Sequence, residues 1–257
     1  MAAITLIGSG NTATALGKAL KQAGHQIIQV WSRSAGKANE LAGILGVEAT
    51  ADLSAINDQA DVYLVAVKDD AIESIGSHLK VGGKVIAHTS GIKSRELLKE
   101  AGNNYGVFYP FVSMTKETAV DFKRALVMIE GSNQGTSDML SSIAKTISDN
   151  VKTVEQDQRQ VLHLSAVFVN NFSNHLYSIS EKILTEKGLS FDDMRPLIAA
   201  HTENVMKYLP SALQTGPAVR DDRSTIDIHM DLLSKNQELK EIYSLLTSSI
   251  QDFYKRK

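Results

Sequence analysis

Ile4-Thr-Leu-Ile-Gly-Ser-Gly-Asn-Thr-Ala-Thr-Ala-Leu-Gly17 opens as a short apolar strand, turns through Gly-x-Gly-x-x-Ala and continues with the spacing of a helix. Each small residue has a task there. Gly8 makes the tight turn, Gly10 admits a pyrophosphate against the backbone, and Ala13 lets helix and strand pack closely. Ser9, Asn11 and Thr12 complete the loop. The helix N-terminus that follows offers free N–H groups and positive potential to an anion. A turn that binds nothing would need the same glycines. Against that reading stands the loop's place at the head of a repeated strand-helix pattern.

The next apolar run, Gln26–Trp31, ends in Ser32-Arg33-Ser34. A dinucleotide site that takes NAD usually places a carboxylate there for the ribose diol. Arg33 instead suits a 2′-phosphate through charge-assisted bonds, and Ser32 and Ser34 add hydroxyl donors. The expected cofactor is therefore NADP(H).

Further runs at Val62–Val67, Lys84–His88, Gly106–Tyr109 and Ala125–Ile129 are strand candidates separated by helix-length segments, the rhythm of right-handed βαβ units. Beyond about residue 150 the pattern changes to long helical periods, Gln156–Lys187, Phe191–Tyr208, Asp222–Ser234 and Gln237–Tyr254, with no strand expected among them. The fold class expected is α/β. A doubly wound, mainly parallel Rossmann domain over residues 1–152 precedes an all-α domain over 153–257 that serves substrate binding and dimerisation.

Ligands of an open parallel sheet lie beyond the carboxyl ends of its strands, so three loops should face the cofactor. Ala66-Val67-Lys68 passes the adenosine side with its backbone, and Asp69 is expected to cap the helix starting near Ala71. In His88-Thr89-Ser90-Gly91 the small residues allow close approach to a nicotinamide ring, although plain turn chemistry explains them equally well. Tyr109-Pro110-Phe111 is read as a loop whose rings wall the pocket.

From Gln160 through Ser180 there is no Asp, Glu, Lys or Arg. At 100° per residue Val161, Leu164, Phe168, Phe172, Leu176, Ile179 and Ile183 share one face, while His163, Asn170, Asn174 and Tyr177 line another. A solvated face would carry Lys and Glu, so a polar but uncharged stripe points to a lined cleft or an interface. Two readings stand: interior residues that bridge helices, or His163 as a proton donor with Asn170 orienting a substrate. Later, Thr215-Gly-Pro-Ala-Val-Arg220 breaks the helical run. Arg220 there is read either as presented to a substrate carboxylate or a cofactor phosphate, or as part of a plain helix–helix turn with Asp221 or Asp222 as the next helix's N-cap. Asp227, His229 and Asp231 have no supporting ligand set, and no metal is expected.

Composition narrows the function classes. The 257 residues are 43% hydrophobic and 22% charged with a formal net charge of -2, which gives no bulk attraction to nucleic acid or anionic membrane. Absence of cysteine excludes disulfides and thiolate chemistry. Met1-Ala-Ala-Ile-Thr has neither the basic start nor the apolar length of a signal peptide, so a cytoplasmic protein is expected. Long helices with apolar faces favour a homodimer.

The glycine loop, Ser-Arg-Ser, His88-Thr-Ser-Gly91, Tyr109-Pro-Phe111, the helix Leu162-His-Leu-Ser-Ala-Val-Phe-Val-Asn-Asn-Phe-Ser-Asn174, and Thr215-Gly-Pro-Ala-Val-Arg220 with His229 resemble Rossmann-like proteins that carry a C-terminal domain of unknown function. The N-terminal half is similar to deazaflavin-dependent NADP oxidoreductases, pyrroline-5-carboxylate reductases and the 6-phosphogluconate or β-hydroxyacid dehydrogenases. The resemblance implies NADP-linked hydride transfer on a small molecule. It also departs from those groups. The catalytic lysine of the β-hydroxyacid dehydrogenases, one turn before an asparagine, is missing, since Ala166 and Val167 precede Asn170 and Asn171. Lys68 and Tyr109 stand where relatives read Val-Pro-Asp and His-Pro. The leading expectation is an NADP-dependent reductase of a small carbonyl or imine held by His163, Asn170 and Arg220. The alternative is a non-catalytic NADP(H)-binding sensor or interaction protein.

Overall fold

The computed structural model describes residues 1–114 and 120–255. By Cα packing they form two compact units, Met1–Asn170 and Asn171–Lys257. The first is built on one eight-stranded sheet: β1 (Ala3–Ile7), β2 (Gln26–Trp31), β3 (Glu48–Thr50), β4 (Val62–Val65), β5 (Gly82–His88), β6 (Gly102–Phe111), β7 (Leu126–Gly131) and β8 (Asn150–Thr153), in the order β3-β2-β1-β4-β5-β6-β7-β8. The order reverses beside β1, and that switch point puts the glycine loop at the middle of the sheet's carboxyl edge. The doubly wound, mainly parallel sheet is as expected.

Alternation along the strands explains the two layers. Ile4 and Leu6 of β1 point to one core, which α1 (Asn11–Gln22), α2 (Ala35–Leu45) and α4 (Gln134–Ile147) cover through Ala13, Leu16, Leu20, Leu41, Leu45, Leu140 and Ile143. Ile7 points to the other, closed by Ile72 and Ile75 of α3 (Ile72–His78) and by Leu98. On α1 the buried positions 13, 16, 17 and 20 repeat at three and four residues, the stripe a helix needs to lie on a sheet.

Three features differ from the sequence reading. β3 and β8 were not expected; both are short edge strands, and β8 is mostly exposed, so neither has the apolar alternation that marks a strand. β7 runs antiparallel to β6, which breaks the regular βαβ rhythm; an antiparallel neighbour needs no crossover helix. Tyr109, Pro110 and Phe111 are not a loop but the end of β6, paired with Met128, Val127 and Leu126. β5 pairs only as far as Val107, so beyond it one side of β6 has no strand partner and the missing Pro110 N–H costs the sheet little.

The helical part starts with α5 (Gln156–Ala166), which belongs to the first compact unit, and passes through π-helical turns at Val167–Phe172. α6 (Ser173–Thr185), α7 (Arg195–Val205), α8 (Arg223–Leu232) and α9 (Gln237–Lys255) follow in the second unit. Wider π turns shift the register, so the single line drawn through His163, Asn170 and Asn174 at 100° per residue does not run straight.

Candidate active site

Gly8 leaves β1 at φ 130°, and its amide donates to the carbonyl of Trp31 at 2.7 Å. A Cβ there would lie 2.2 Å from the carbonyl oxygen of Ala66, so only glycine lets the loop pass the exit of β4. Gly10, the residue before α1, has open space where a Cβ would stand. No side chain caps α1 and no carboxylate lies in its first turn. Uncapped N–H groups above an open glycine fit a pyrophosphate. Asn11 is turned aside by a bond from its amide nitrogen to the Met114 carbonyl at 3.2 Å.

At the end of β2, Ser32 is buried and its hydroxyl shares a 2.9 Å bond with that of Ser9, tying the ribose end to the glycine loop. Ser34 is the N-cap of α2, whose first turn also lacks an acidic residue. Arg33 is exposed and makes no ion pair among the described residues. Lys37, one turn into α2, lines a hollow of about 650 Å³ with Ser9, Gly10 and Asn11. The sequence reading missed Lys37. Its spacing from Ser34, on the first turn after the cap, was the available signal. Together these residues offer two cations, two hydroxyls and a helix N-terminus whose first turn carries no carboxylate. Glu40, one turn further along α2, lines the same hollow as Lys37.

Lys68 and Asp69 are exposed just past β4. Asp69 does not cap a helix as expected. A 3-10 turn, Asp69–Ala71, moves the start of α3 to Ile72, and neither Lys68 nor Ala71 makes a side-chain cap. Past β5, Thr89 donates its amide to Val65, and Ser90 Oγ accepts from the amides of Ile92 and Lys93 at 3.2 and 3.1 Å.

Opposite this loop Tyr109 and His163 meet. The Tyr109 hydroxyl lies 2.8 Å from His163 Nδ1, and both side chains are half-buried. Gly91 packs on the pair: a Cβ there would stand 2.5 Å from His163 Nδ1 and 2.8 Å from Tyr109 Cζ. Burial raises the Tyr109 hydroxyl above the usual tyrosine range, with the Arg159 charge opposing and the Asp69 charge adding to it. A protonated phenol donates to Nδ1, and a neutral ring then carries its hydrogen on Nε2, ready to be donated.

Asn170 is exposed at the end of the first unit, within the π turns. In the second unit Asn174 is exposed on α6, and Arg220 lies 4.0 Å from Asp222. Asp222 caps α8 through the Thr225 amide at 3.1 Å. His229 Nδ1 is 2.7 Å from the Tyr243 hydroxyl. No group of three metal-ligating side chains converges among the described residues.

Residues 3–91 match the family model described as NADP oxidoreductase coenzyme F420-dependent, and residues 125–250 match the domain of unknown function DUF2520. No curated protein matches the chain. Among solved structures, protein BF3122 of Bacteroides fragilis, assigned as an NADP oxidoreductase, is 37% identical over 98% of both chains with a TM-score of 0.89. Protein TM1727 of Thermotoga maritima is 23% identical over 98% of both chains, TM-score 0.72. A reductive aminase of Aspergillus terreus in complex with NADPH and ethyl-5-oxohexanoate is 17% identical over 100% of this chain and 93% of its own, TM-score 0.69. The latter two share the fold. At 37% identity over nearly its whole length, the chain belongs to the family of NADP oxidoreductases that join an F420-dependent-type N-terminal domain to a C-terminal domain of unknown function, and it is an NADP-dependent oxidoreductase.

Proposed function

We propose that the protein reduces a small carbonyl or imine with NADPH, and that His163 gives the proton. The observation that carries this reading is the Tyr109–His163 hydrogen bond of 2.8 Å, set against Gly91 in the loop after β5. Gly8, Ser9, Gly10, Asn11 and Thr12 hold the pyrophosphate along the loop backbone, and the buried Ala13 lets α1 pack close enough to β1 to present it. Ser32, Arg33, Ser34 and Lys37 read the 2′-phosphate, Ala66, Val67 and Lys68 pass the adenosine side, and Thr89 and Ser90 stand at the nicotinamide. When bound, NADPH supplies the hydride. Tyr109 fixes the ring of His163 through Nδ1 and supplies its proton. As hydride addition leaves negative charge on the substrate oxygen or nitrogen, Nε2 gives its proton to that atom while Nδ1 takes the Tyr109 hydroxyl proton. The ring stays neutral, and the charge rests on the phenol oxygen until solvent reprotonates it. A substrate positioned in this way needs no lysine. Asn170, in the same compact unit as His163, is assigned to orient it.

Residues 153–257 form the substrate and dimerisation domain of a cytoplasmic homodimer in this reading. Its support is the apolar side chains left open on α5 and the π turns, among them Val161 (64% exposed), Leu164 (57%) and Val169 (76%). NADPH oxidation across a panel of small ketones, aldehydes and cyclic imines tests the function. We expect turnover by the wild-type protein and a loss of about a hundredfold or more in His163→Ala, with NADPH affinity within about twofold. Tight NADPH binding without turnover across the panel supports the sensor instead. Undiminished turnover in His163→Ala removes the histidine from the role of acid.

A further inference from the structure

Arg159 is wholly buried, one helical turn before His163 on α5, and its guanidinium reaches three acceptors on two separate pieces of chain. Nη1 donates to the Ser90 carbonyl at 3.0 Å, and Nη2 donates to the Lys93 carbonyl at 2.9 Å and to Glu130 Oε2 at 2.9 Å. Glu130, on β7 and itself buried, has its other oxygen 3.4 Å from Arg95, which also donates to the Gly131 carbonyl. Desolvating a guanidinium is costly, and the chain offsets much of that cost with a buried carboxylate and two carbonyls of a single loop, while Nε is left without a hydrogen-bond partner among the described residues. A core position that needed only volume would take an apolar side chain more cheaply.

The rest of that loop is also tied down. The Ile92 carbonyl accepts from Gln160 Nε2 at 2.9 Å, the neighbouring position on α5. The Ser94 carbonyl lies 3.2 Å from His88 Nε2, and His88 Nδ1 accepts from the Ser90 amide. With the Ile92 and Lys93 amides on Ser90 Oγ, the carbonyls of residues 90, 92, 93 and 94 and the amides of 90, 92 and 93 are all engaged. Between them stands Gly91, the residue packed on Tyr109 and His163.

From this arrangement we infer that Arg159, paired with Glu130, is a positioning residue that clamps the 90–93 loop to the helix carrying His163 and thereby sets the Tyr109–His163 pair. Because loop and histidine are fixed by the same helical turn, a change at Arg159 moves Gly91 and the His163 ring relative to each other. The consequence for turnover rests on the proposed function; the clamp itself does not.

The test uses the full chain without ligand. Amide hydrogen exchange is followed at Ser90, Ile92 and Lys93, with Leu6 and Leu64 as controls, together with the ring 15N shifts of His163, in Arg159→Met, Arg159→Lys and Glu130→Gln. We expect exchange at the three loop amides to rise about tenfold or more in Arg159→Met. The His163 Nδ1 signal should move as its bond to Tyr109 is lost, while the controls change little. Arg159→Lys should recover part of both effects. Wild-type exchange and shifts in the folded variants overturn the inference. So does an equal rise at loop and control amides, which marks general destabilisation. If Arg159→Met does not fold, the same comparison in Arg159→Lys and Glu130→Gln decides. Failure of the wild-type protein to reduce any carbonyl or imine sinks the preceding reading and leaves these ligand-free measurements standing.

Discussion

Gly8 and Ala66 approach so closely that a Cβ on the glycine would lie 2.2 Å from the Ala66 carbonyl oxygen, so the turn out of β1 and the exit of β4 are built as one piece. Gly10, two residues on, has nothing within 4 Å of the same hypothetical atom and a φ of -81° that any residue adopts. The two glycines should therefore fail differently. Gly8→Ala, with a backbone clash and φ 130°, is expected to lose about 2 kcal/mol or more of stability along with NADPH binding. Gly10→Ala should melt within a few degrees of wild type and still bind NADPH at least about tenfold more weakly, because its methyl occupies the space left for phosphate. Thermal melts and NADPH titration of both variants check the contrast.

The ribose end makes a prediction about selectivity. Arg33 and Lys37 have no acidic neighbour in the first turn of α2 to neutralise them. Arg33→Ala should weaken NADPH by about 1.4 kcal/mol or more, a tenfold change, and leave NADH nearly unaffected. Lys37→Ala should act in the same direction and less strongly, being an exposed point charge without the guanidinium fork. Calorimetry with both nucleotides decides, and equal losses for NADH would place these cations elsewhere than the 2′-phosphate.

How much of this was legible depended on whether a residue's role is local. The glycine loop and Ser32-Arg33-Ser34 are read from strand, turn and helix within one segment, and the helix cap at Asp222 follows from its position. The sequence pattern ends the strand candidate at Tyr109 and gives Pro110 and Phe111 to the loop, whereas the early end of β5 pairing is what allows proline to remain in the strand. Arg159 and Glu130 could not be paired in advance. They lie 29 residues apart, and their value comes from two carbonyls of a third segment. The charged residue that closes the chain before the uncharged run from Gln160 was the one visible hint. The polar stripe of His163, Asn170 and Asn174 assumed an unbroken α-helix, and the π turns at Val167–Phe172 remove that assumption.

Gly91 offers a direct probe of the Tyr109–His163 pair. Gly91→Ala introduces a methyl 2.5 Å from His163 Nδ1 and 2.8 Å from Tyr109 Cζ, which must push the rings apart or displace the loop. A cost of about 1–3 kcal/mol in stability is expected from overpacking of this kind. Turnover should fall in parallel with Tyr109→Phe, which removes the hydroxyl without adding volume. Similar kcat losses in the two variants, at unchanged NADPH affinity, identify the hydrogen bond as the shared cause.

The open apolar face of α5 predicts an oligomer. Val161 and Leu164 are 64% and 57% exposed in one chain, so replacing both with Glu should disturb the monomer's own packing little. If that face meets a second copy, the same double substitution buries charge at the contact and should shift the mass measured by light scattering from dimer to monomer. An unchanged dimer would locate the contact on another surface, and a monomeric wild type would remove the proposal.

His88 makes stability depend on pH with a defined sign. Burial pushes its pKa down from 6.5 to about 4; the bond to the Ser94 carbonyl works the other way, and the Arg159 charge adds to the lowering. The unfolded chain therefore takes up a proton near 6.5 that the folded chain refuses until about 4, so between those values the unfolded state binds more protons and stability rises with pH. The contribution is fully present above about 6.5 and is lost progressively as pH falls towards about 4, on the order of 3 kcal/mol in all. His25, also lowered by burial and by the N-terminal charge, adds to the slope in the same direction. Urea unfolding of wild type and His88→Gln across this range separates the two. The glutamine can still donate to Ser94 and carries no titrating ring, so its stability should vary much less with pH. An equally steep loss in His88→Gln would assign the acid sensitivity to His25 or to the carboxylates.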